Sequence, residues 1–386
     1  MNQIIRIGVD TSKSVFQLHG VDAAEQPVLR KQLRRRDFVK FLAKLPPTRI
    51  GLEACGGSHH WGREISALGH QVVLLPAQYA KQYLMRGKND AADAEAICEA
   101  MGRPRVQTRF VPIKTADQQA AQMLIGMRDR VVRNRTQLSN AIRGYAAEFG
   151  LVTAKGLDKI EPLLARIAGD PGVPALAKEL FAAHGVEFAQ LKARLRAIDA
   201  RLTAWRRDNE LSKRLMEIPT VGPIGAMRLA IKVTNPKAFR SGRDFAAWIG
   251  LTPKDHSTAG KQRLGVITRA GDESLRQNLV LGATAVIKQV RNGCPGASPW
   301  LVELVNRKPP KLAAVALANK IARIAWKLMV SGECYNPEAG AIRLVPATGS
   351  VAPGSRRQGR CAPPSAVALE ASLDHARRWR SGLPSR

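Results

Sequence analysis

Acid is scarce in this chain of 386 residues, where 31 Asp and Glu face 61 Lys and Arg and leave a formal net charge of +30. That imbalance is far more than solubility needs, and its field draws polyanions. Nucleic acid is the leading partner, bound with an affinity that falls steeply as salt rises. Cysteine is also sparse. Cys55, Cys98, Cys294, Cys334 and Cys361 are odd in number, scattered and without a CxxC pair, which excludes a disulfide framework and a cysteine zinc site and suits a reducing compartment. No apolar run reaches the length of a membrane span, and the opening Met1-Asn2-Gln3-Ile4 lacks the basic segment and apolar core of an export signal. The expectation is a soluble, cytoplasmic protein with no membrane partner.

The few acids that are present fall in telling positions. Asp10 closes the apolar run Ile4–Asp10, and Glu53 closes Arg49–Glu53. Asp90 and Asp93 open the Ala-rich stretch Asp90-Ala91-Ala92-Asp93-Ala94-Glu95, where i,i+3 spacing puts both on one helix face. Each has an ordinary explanation alone: Asp90 as an N-cap, Asp93 as a favourable first-turn charge, Asp10 as the end of a strand at a turn. Together, at two strand ends and one helix start in a very basic chain, they predict a site for a hard divalent cation of the kind phosphate chemistry uses. Cys55 follows Glu53 closely, but no base is evident for a thiol nucleophile, so it is expected to be a small buried residue. His59 and His60 have no further ligands at metal spacing and read as loop or helix-start residues.

Residues 1 to about 110 alternate strand and helix. Ile4–Asp10, Val15–Gly20 and Pro27–Leu33 predict an antiparallel meander, followed by a helix over Asp37–Lys44 that stops at Pro46-Pro47. Strand Arg49–Glu53, helix Trp61–Leu68, strand Gln71–Leu75 and the acidic helix come next. That order is the order of an RNase H-like fold, in which the first and fourth strands are neighbours and Asp10 would lie beside Glu53. From about 115 to 210 the chain is helical and basic. Leu124, Met127, Val131, Leu138, Ile142 and Tyr145 form one stripe, with Arg128, Arg130, Arg133, Arg135 and Arg143 largely around it. Phe188, Leu191, Leu195, Ile198, Leu202 and Trp205 alternate spacings of three and four, which fits either a coiled-coil seam or a plain core-facing helix.

Residues about 212 to 332 form a further compact unit. Ile218-Pro219-Thr220-Val221-Gly222-Pro223-Ile224-Gly225-Ala226 is either a helix-hairpin-helix turn whose glycines admit a phosphate or an ordinary Gly/Pro turn. The polar segment Lys254–Gly265 holds a His, two hydroxyls and several cations. It could present a hydroxyl nucleophile to a phosphodiester, or be no more than a solvated basic loop. Helices are predicted over Asp272–Lys288 and Pro310–Met329. The domain division expected is 1–150, a helical linker 151–211, 212–332, and a Pro, Gly, Ser and Arg-rich tail 333–386 predicted to be largely disordered, with only a weak helical pattern near Ala366–Trp379.

GVDTSKSVFQLHGVD at 8–22, GLEACGGSHHWGREI at 51–65 and RGKNDAADAEAICEA at 86–100 resemble the amino-terminal DEDD domain of the IS110 family of insertion-sequence transposases, particularly its IS1111 branch. IPTVGPIGA at 218–226, AAWIGLTPKDHSTAGKQRLGVITRAGD at 246–272 and LAAVALANKIARIAWKL at 312–328 resemble the family's carboxy-terminal transposase domain. The likeness spans about residues 4–332 and excludes the tail.

The resemblance implies a RuvC-like (RNase H-like) first domain whose Asp10, Glu53, Asp90 and Asp93 bind Mg2+, with Mn2+ as a substitute. It implies a mostly helical second domain that supplies a serine nucleophile. Mapped by motif, that serine lies in His256-Ser257-Thr258-Ala259-Gly260-Lys261 and is Ser257, with Thr258 the fallback. Ala259 departs from the family's glycine, which would disfavour a left-handed backbone there. Lys261, Arg263 and Arg269 become candidate phosphate clamps. The implied partners are double-stranded DNA of the element ends and target, a bridge RNA that pairs with both, and further copies of the chain as a dimer or tetramer. The residues alone also fit two rivals: a metal-dependent, Holliday-junction-resolvase-like nuclease that uses water, and a nucleic-acid-binding protein without catalysis.

Overall fold

The computed structural model describes residues 3–84, 89–107, 110–293 and 297–336, so the tail lies outside the described residues beyond 336. The chain forms two compact units, Met1–Ala120 with Lys237–Phe239, and Ala121–Pro236 with Arg240–Arg386.

The first unit is built on a five-stranded sheet. Its elements are β1 (Arg6–Thr11), β2 (Val15–Val21), β3 (Pro27–Arg34), α1 (Arg35–Leu42), β4 (Arg49–Glu53), α2 (Ser58–Ala67), β5 (Gln71–Leu75), the short α3 (Ala77–Ala80), α4 (Asp90–Gly102) and the short α5 (Pro104–Gln107). The strand order is β3-β2-β1-β4-β5. β1 to β3 form an antiparallel meander, while β4 runs parallel to β1 and β5 parallel to β4. Val9 lies opposite Leu52, so the next residues along, Asp10 and Glu53, end adjacent strands on one side.

Alternation along the strands divides the two faces. Ile7, Val9, Phe16, Leu18, Ile50 and Leu52 join Phe38 and Leu42 of α1 and Trp61 and Ile65 of α2 in one core. Phe16, Phe38 and Trp61 meet edge to face in all three pairs, with centroids 4.7 to 5.5 Å apart. Pairs of this geometry add about 0.5–1.5 kcal/mol each beyond area burial.

The opposite face receives α4 by a different device. Along β1 that face reads Arg6, Gly8, Asp10, and along β4 it reads Gly51, Glu53. A Cβ at Gly8 would stand 2.2 Å from the Ala94 carbonyl oxygen and 2.4 Å from the Cys98 amide, and one at Gly51 2.7 Å from Met101 Sδ. The glycines therefore let the helix backbone lie almost on the strands. Arg6 donates through Nε to the Cys98 carbonyl at 3.0 Å and pairs with Glu25, which anchors the carboxyl end of α4. The helix thus runs against β1, with its acidic amino end over Asp10. Gly8→Ala should displace α4 bodily, because backbone atoms rather than a flexible side chain fill the space. We expect a loss of about 1–3 kcal/mol or more in urea unfolding, and an unchanged midpoint would contradict it.

The second unit is helical: α6 (Ala116–Ala147, entering from the first unit), α7 (Ile160–Gly169), α8 (Ala175–Arg207), α9 (Glu210–Leu215), α10 (Pro223–Lys232), α11 (Gly242–Ile249), the hairpin β6 (Pro253–Asp255) and β7 (Leu264–Ile267), α12 (Glu273–Arg291), α13 (Pro299–Arg307) and α14 (Pro310–Ser331). The seam-like stripe of α8 is used inside the chain. Leu195, Ile198 and Leu202 pack with Ile125 and Val131 of α6 and Met227 and Ile231 of α10, and Phe188 packs with Leu138 and Ile142. The core-facing reading of that helix therefore describes it, and the arginines serve it: Arg128 meets Asp199 at 2.6 Å, and Arg143 bonds the Gly156 carbonyl. Tyr145 leaves the predicted stripe; it is 55% exposed and stacks on His184 of α8, because Ile142 and Ala146 take the buried side of the same turn. The Ile218–Ala226 segment joins α9 to α10, with Gly222 as the N-cap of the latter.

Candidate functional site

The four acids lie at one end of the sheet. Asp10 is the fifth residue of β1, Glu53 the last of β4, and Asp90 and Asp93 lie in the first turn of α4. Asn89, not Asp90, caps that helix, its Oδ1 accepting from the Ala92 amide at 2.7 Å. The cap leaves both aspartates free to converge, and their charge at a helix amino end is favourable. Carboxylate oxygens of Asp10, Asp90 and Asp93 all come within 4.8 Å of one another. Glu53 stands outside that trio yet near enough to act on Asp10 electrostatically.

Asp10 is half-buried, and its carboxyl is pushed up to about 6, first by burial and then by the charges of Asp93, Asp90 and Glu53. Like charges assembled this closely call for a cation. The donor set is all oxygen, which fits a hard divalent ion rather than zinc or copper. Oxygens around one six-coordinate magnesium stand about 3 to 4 Å apart, so small side-chain adjustments would let the trio share an ion.

Two neighbouring residues resolve differently from one another. Cys55 is exposed rather than buried, because the chain turns outward past the end of β4 through Gly56 and Gly57. His59 sits in the first turn of α2, accepts from the Lys114 amide at 3.2 Å through Nδ1, and is held neutral, lowered to about 4 by burial and by Lys114 and Arg63. It is a structural acceptor.

In the second unit, Ser257 lies at the tip of the exposed β6–β7 hairpin. Its amide donates to Asp255 Oδ1 at 2.9 Å, its hydroxyl donates to the same oxygen, and its Oγ accepts from the Arg263 amide at 2.9 Å. The hydroxyl is therefore held, although the loop is solvated. Thr258 has its carbonyl bonded by the Lys261 amide at 2.9 Å, closing a tight turn through Ala259 and Gly260. Lys261, Arg263 and Arg269 are all exposed on or beside this hairpin.

Ala259 does adopt the left-handed backbone expected to be unfavourable for it, with φ +48°, followed by Gly260 at +78°. A left-handed non-glycine residue costs about 1–2 kcal/mol, while glycine's extra unfolded-state freedom costs about 0.4–1 kcal/mol. Ala259→Gly should therefore steady the turn by roughly 0.5–1 kcal/mol. Exchange of the Lys261 amide should slow several-fold, and faster exchange would refute the strain.

The sequence signals missed were the glycines and the brace. Gly8 and Gly51 each precede an acid by two residues, the spacing that puts a helix-admitting gap and a carboxylate on one strand face. Asp255 precedes Ser257 by two, the spacing of an Asx turn.

Each of the two sites falls within a stretch that matches a known family. Residues 7–149 match a transposase family of the IS110 DEDD type, and residues 212–294 match the family described as transposase IS116/IS110/IS902. The chain is 65% identical over 341 residues to y4pF/y4sB of Sinorhizobium fredii, named as a transposase, with 88% of each chain covered. It is 36% identical over 338 residues to the transposase for insertion sequence element IS1111A of Coxiella burnetii, covering 87% of this chain and 92% of that one. It is 35% identical over 336 residues to the transposase for IS1328 of Yersinia enterocolitica, covering 87% and 100%.

Proposed function

The chain belongs to the IS116/IS110/IS902 family of insertion-sequence transposases, and we propose that it cuts and rejoins DNA with four carboxylates and one serine under the guidance of an RNA. As a transposase of this family it acts on DNA, uses a divalent metal, and catalyses cleavage and strand transfer. The convergence of Asp10, Asp90 and Asp93 within 4.8 Å carries the reading of the first site. The strand order β3-β2-β1-β4-β5 with α4 across it supports an RNase H-like, RuvC-like fold for residues 1–150. Residues 151–211 serve as a basic helical linker, 212–332 as the carboxy-terminal transposase domain, and 333–386 as a tail without chemistry.

Asp10, Asp90 and Asp93, with Glu53 beside them, would hold Mg2+ or Mn2+; when bound, the ion supplies Lewis-acid polarisation of the scissile phosphate. The carboxylates also fix where the backbone can enter, since an uncompensated acidic cluster repels DNA. Ser257 attacks phosphorus and conserves the bond energy in a phosphoserine linkage that a second strand later reverses. Lys261, Arg263 and Arg269 hold phosphate oxygens from the same hairpin. Base pairing with a bridge RNA chooses the sites, while the basic surface of a chain at +30 net charge binds backbone without reading sequence. Two or four copies act together, because rejoining needs more than one active site.

The test is incubation of the full chain with element RNA, end-labelled junction DNA and Mg2+, followed by denaturing electrophoresis. A protein–DNA band whose cross-linked peptide maps to residues 256–263 is expected. Free nicked DNA with no adduct would instead identify a nuclease that uses water, and binding without cleavage an inactive nucleic-acid-binding protein.

A further inference from the structure

Ser257 cannot be a strong nucleophile unaided, since an alkyl hydroxyl is almost wholly protonated at neutral pH and needs a base within hydrogen-bond reach. In many hydroxyl-dependent enzymes that base is a histidine. Here the adjacent residue is His256, but its ring lies against Gly265, whose added Cβ would come within 3.2 Å of His256 Cδ2 and Nε2. The hydroxyl of Ser257 donates to another group, Asp255 Oδ1. Both residues are exposed on the hairpin, and the remaining contact of the serine oxygen is the Arg263 amide, which donates to it at 2.9 Å.

Resting on the assignment of Ser257 as nucleophile, we propose that Asp255 is a catalytic residue, the acceptor of the serine proton during attack on DNA. The three contacts divide the work. The bond from the Ser257 amide to Asp255 Oδ1 at 2.9 Å fixes the carboxylate against its own backbone. The hydroxyl bond aims the proton at that oxygen, and the Arg263 amide fills a lone pair of Oγ, leaving another to face phosphorus.

The step balances without a further reagent. As the Oγ–P bond forms, the Oγ–H proton passes to Asp255 Oδ1 and the scissile P–O bond breaks. The departing sugar oxygen takes a proton from water, and Asp255 returns one to solvent. On reversal the hydroxyl of a new strand attacks the phosphoserine and gives its proton to water, the Oγ–P bond breaks, and Oγ regains a proton that Asp255 has first taken up from solvent.

Asp255 accepts bonds from the Ser257 side chain and backbone, and these with the nearby His256 hold its carboxyl below the ordinary range, so it is ready to accept at any physiological pH. The other charges of the hairpin are Lys254, Lys261 and Arg263. All four cationic or titratable neighbours remain when Asp255 alone is changed, so a difference in pH profile isolates the carboxylate.

The discriminating variant is Asp255→Asn. Its amide oxygen still accepts from the Ser257 backbone and keeps the turn, but it cannot take a proton at neutral pH. With the full chain, RNA, junction DNA and Mg2+, adduct formation should slow about 10²–10⁴-fold at pH 7, with DNA retention in gel shifts unchanged. The deficit should shrink as pH rises from 7 to 9, because hydroxide replaces the missing base; a purely structural loss would not shrink. Asp255→Glu should recover part of the rate. Wild-type rates in Asp255→Asn, or a deficit independent of pH, would overturn the assignment while leaving Ser257 in place. If Ser257→Ala still forms the adduct, the serine reading itself falls, and the two failures are told apart.

Discussion

Asp10→Asn should cut DNA cleavage by about 10³-fold and, in the absence of metal at pH 7.5, give a protein more stable than wild type. The two results look opposed but share a cause. Asp10 is the acid on which burial and the other three carboxylates press, and its carboxyl lies at about 6 against an ordinary 3.8. A carboxyl raised on folding favours the folded state below its unfolded value and loses that favour as pH climbs through the folded value. Metal-free wild type should therefore weaken between about pH 4 and pH 7. A shift of about two units corresponds to roughly 3 kcal/mol, and the half-exposed position screens this to about 1–2 kcal/mol.

Asn at position 10 cannot ionise, so the pH-dependent loss disappears with it. Divalent cation should offset the same loss in wild type, by about 2.7 kcal/mol at a hundred times its dissociation constant, and should do much less for the variant. Thermal unfolding at pH 4.5 and 7.5, with and without Mg2+, separates the cases. A variant that is destabilised at pH 7.5 and still gains fully from Mg2+ would remove Asp10 from any metal site.

Sequence alone reached the sheet and its acids because the signals were local. Ile7, Val9, Ile50 and Leu52 are apolar and fully buried, so the strands they mark could be read directly, and Asp10 and Glu53 could be seen to end them. The closeness of α4 was not local. It depends on Gly8 and Gly51, whose absence of a side chain matters only once a helix separated by some 40 to 90 residues lies on them. The α8 stripe shows the reverse limit. Its spacing admits a partner helix in another copy or in the same chain, and only the folded positions of Ile125 and Met227 decide. Cys55 was misjudged for a related reason: burial depends on whether the chain continues inward, and two glycines turn it out. The Ser257 loop was legible as composition but not as geometry, since a hydroxyl that donates to Asp255 and accepts from the Arg263 amide leaves no periodic trace.

Ser257→Ala should abolish the covalent protein–DNA adduct, by about 10⁴-fold or more, while Thr258→Ala should retain it to within about tenfold. Both hydroxyls lie in one solvated loop, so exposure does not separate them. Their bonding does. Ser257 Oγ has a carboxylate acceptor and a backbone donor, the arrangement that orients a nucleophile and removes its proton. The contact that fixes Thr258 is made by its carbonyl, which receives the Lys261 amide in the turn, and that bond survives loss of the side chain. The alanine at 257 would also remove the acceptor of the Arg263 amide, so folding of the hairpin must be checked by exchange at Lys261. With that amide protected as in wild type, absence of an adduct from Ser257→Ala reports chemistry rather than collapse. An adduct lost in Thr258→Ala and kept in Ser257→Ala would move the nucleophile by one residue. Retention in both would return the cleavage to water at the carboxylate site, where Asp10→Asn should then abolish all cutting by itself.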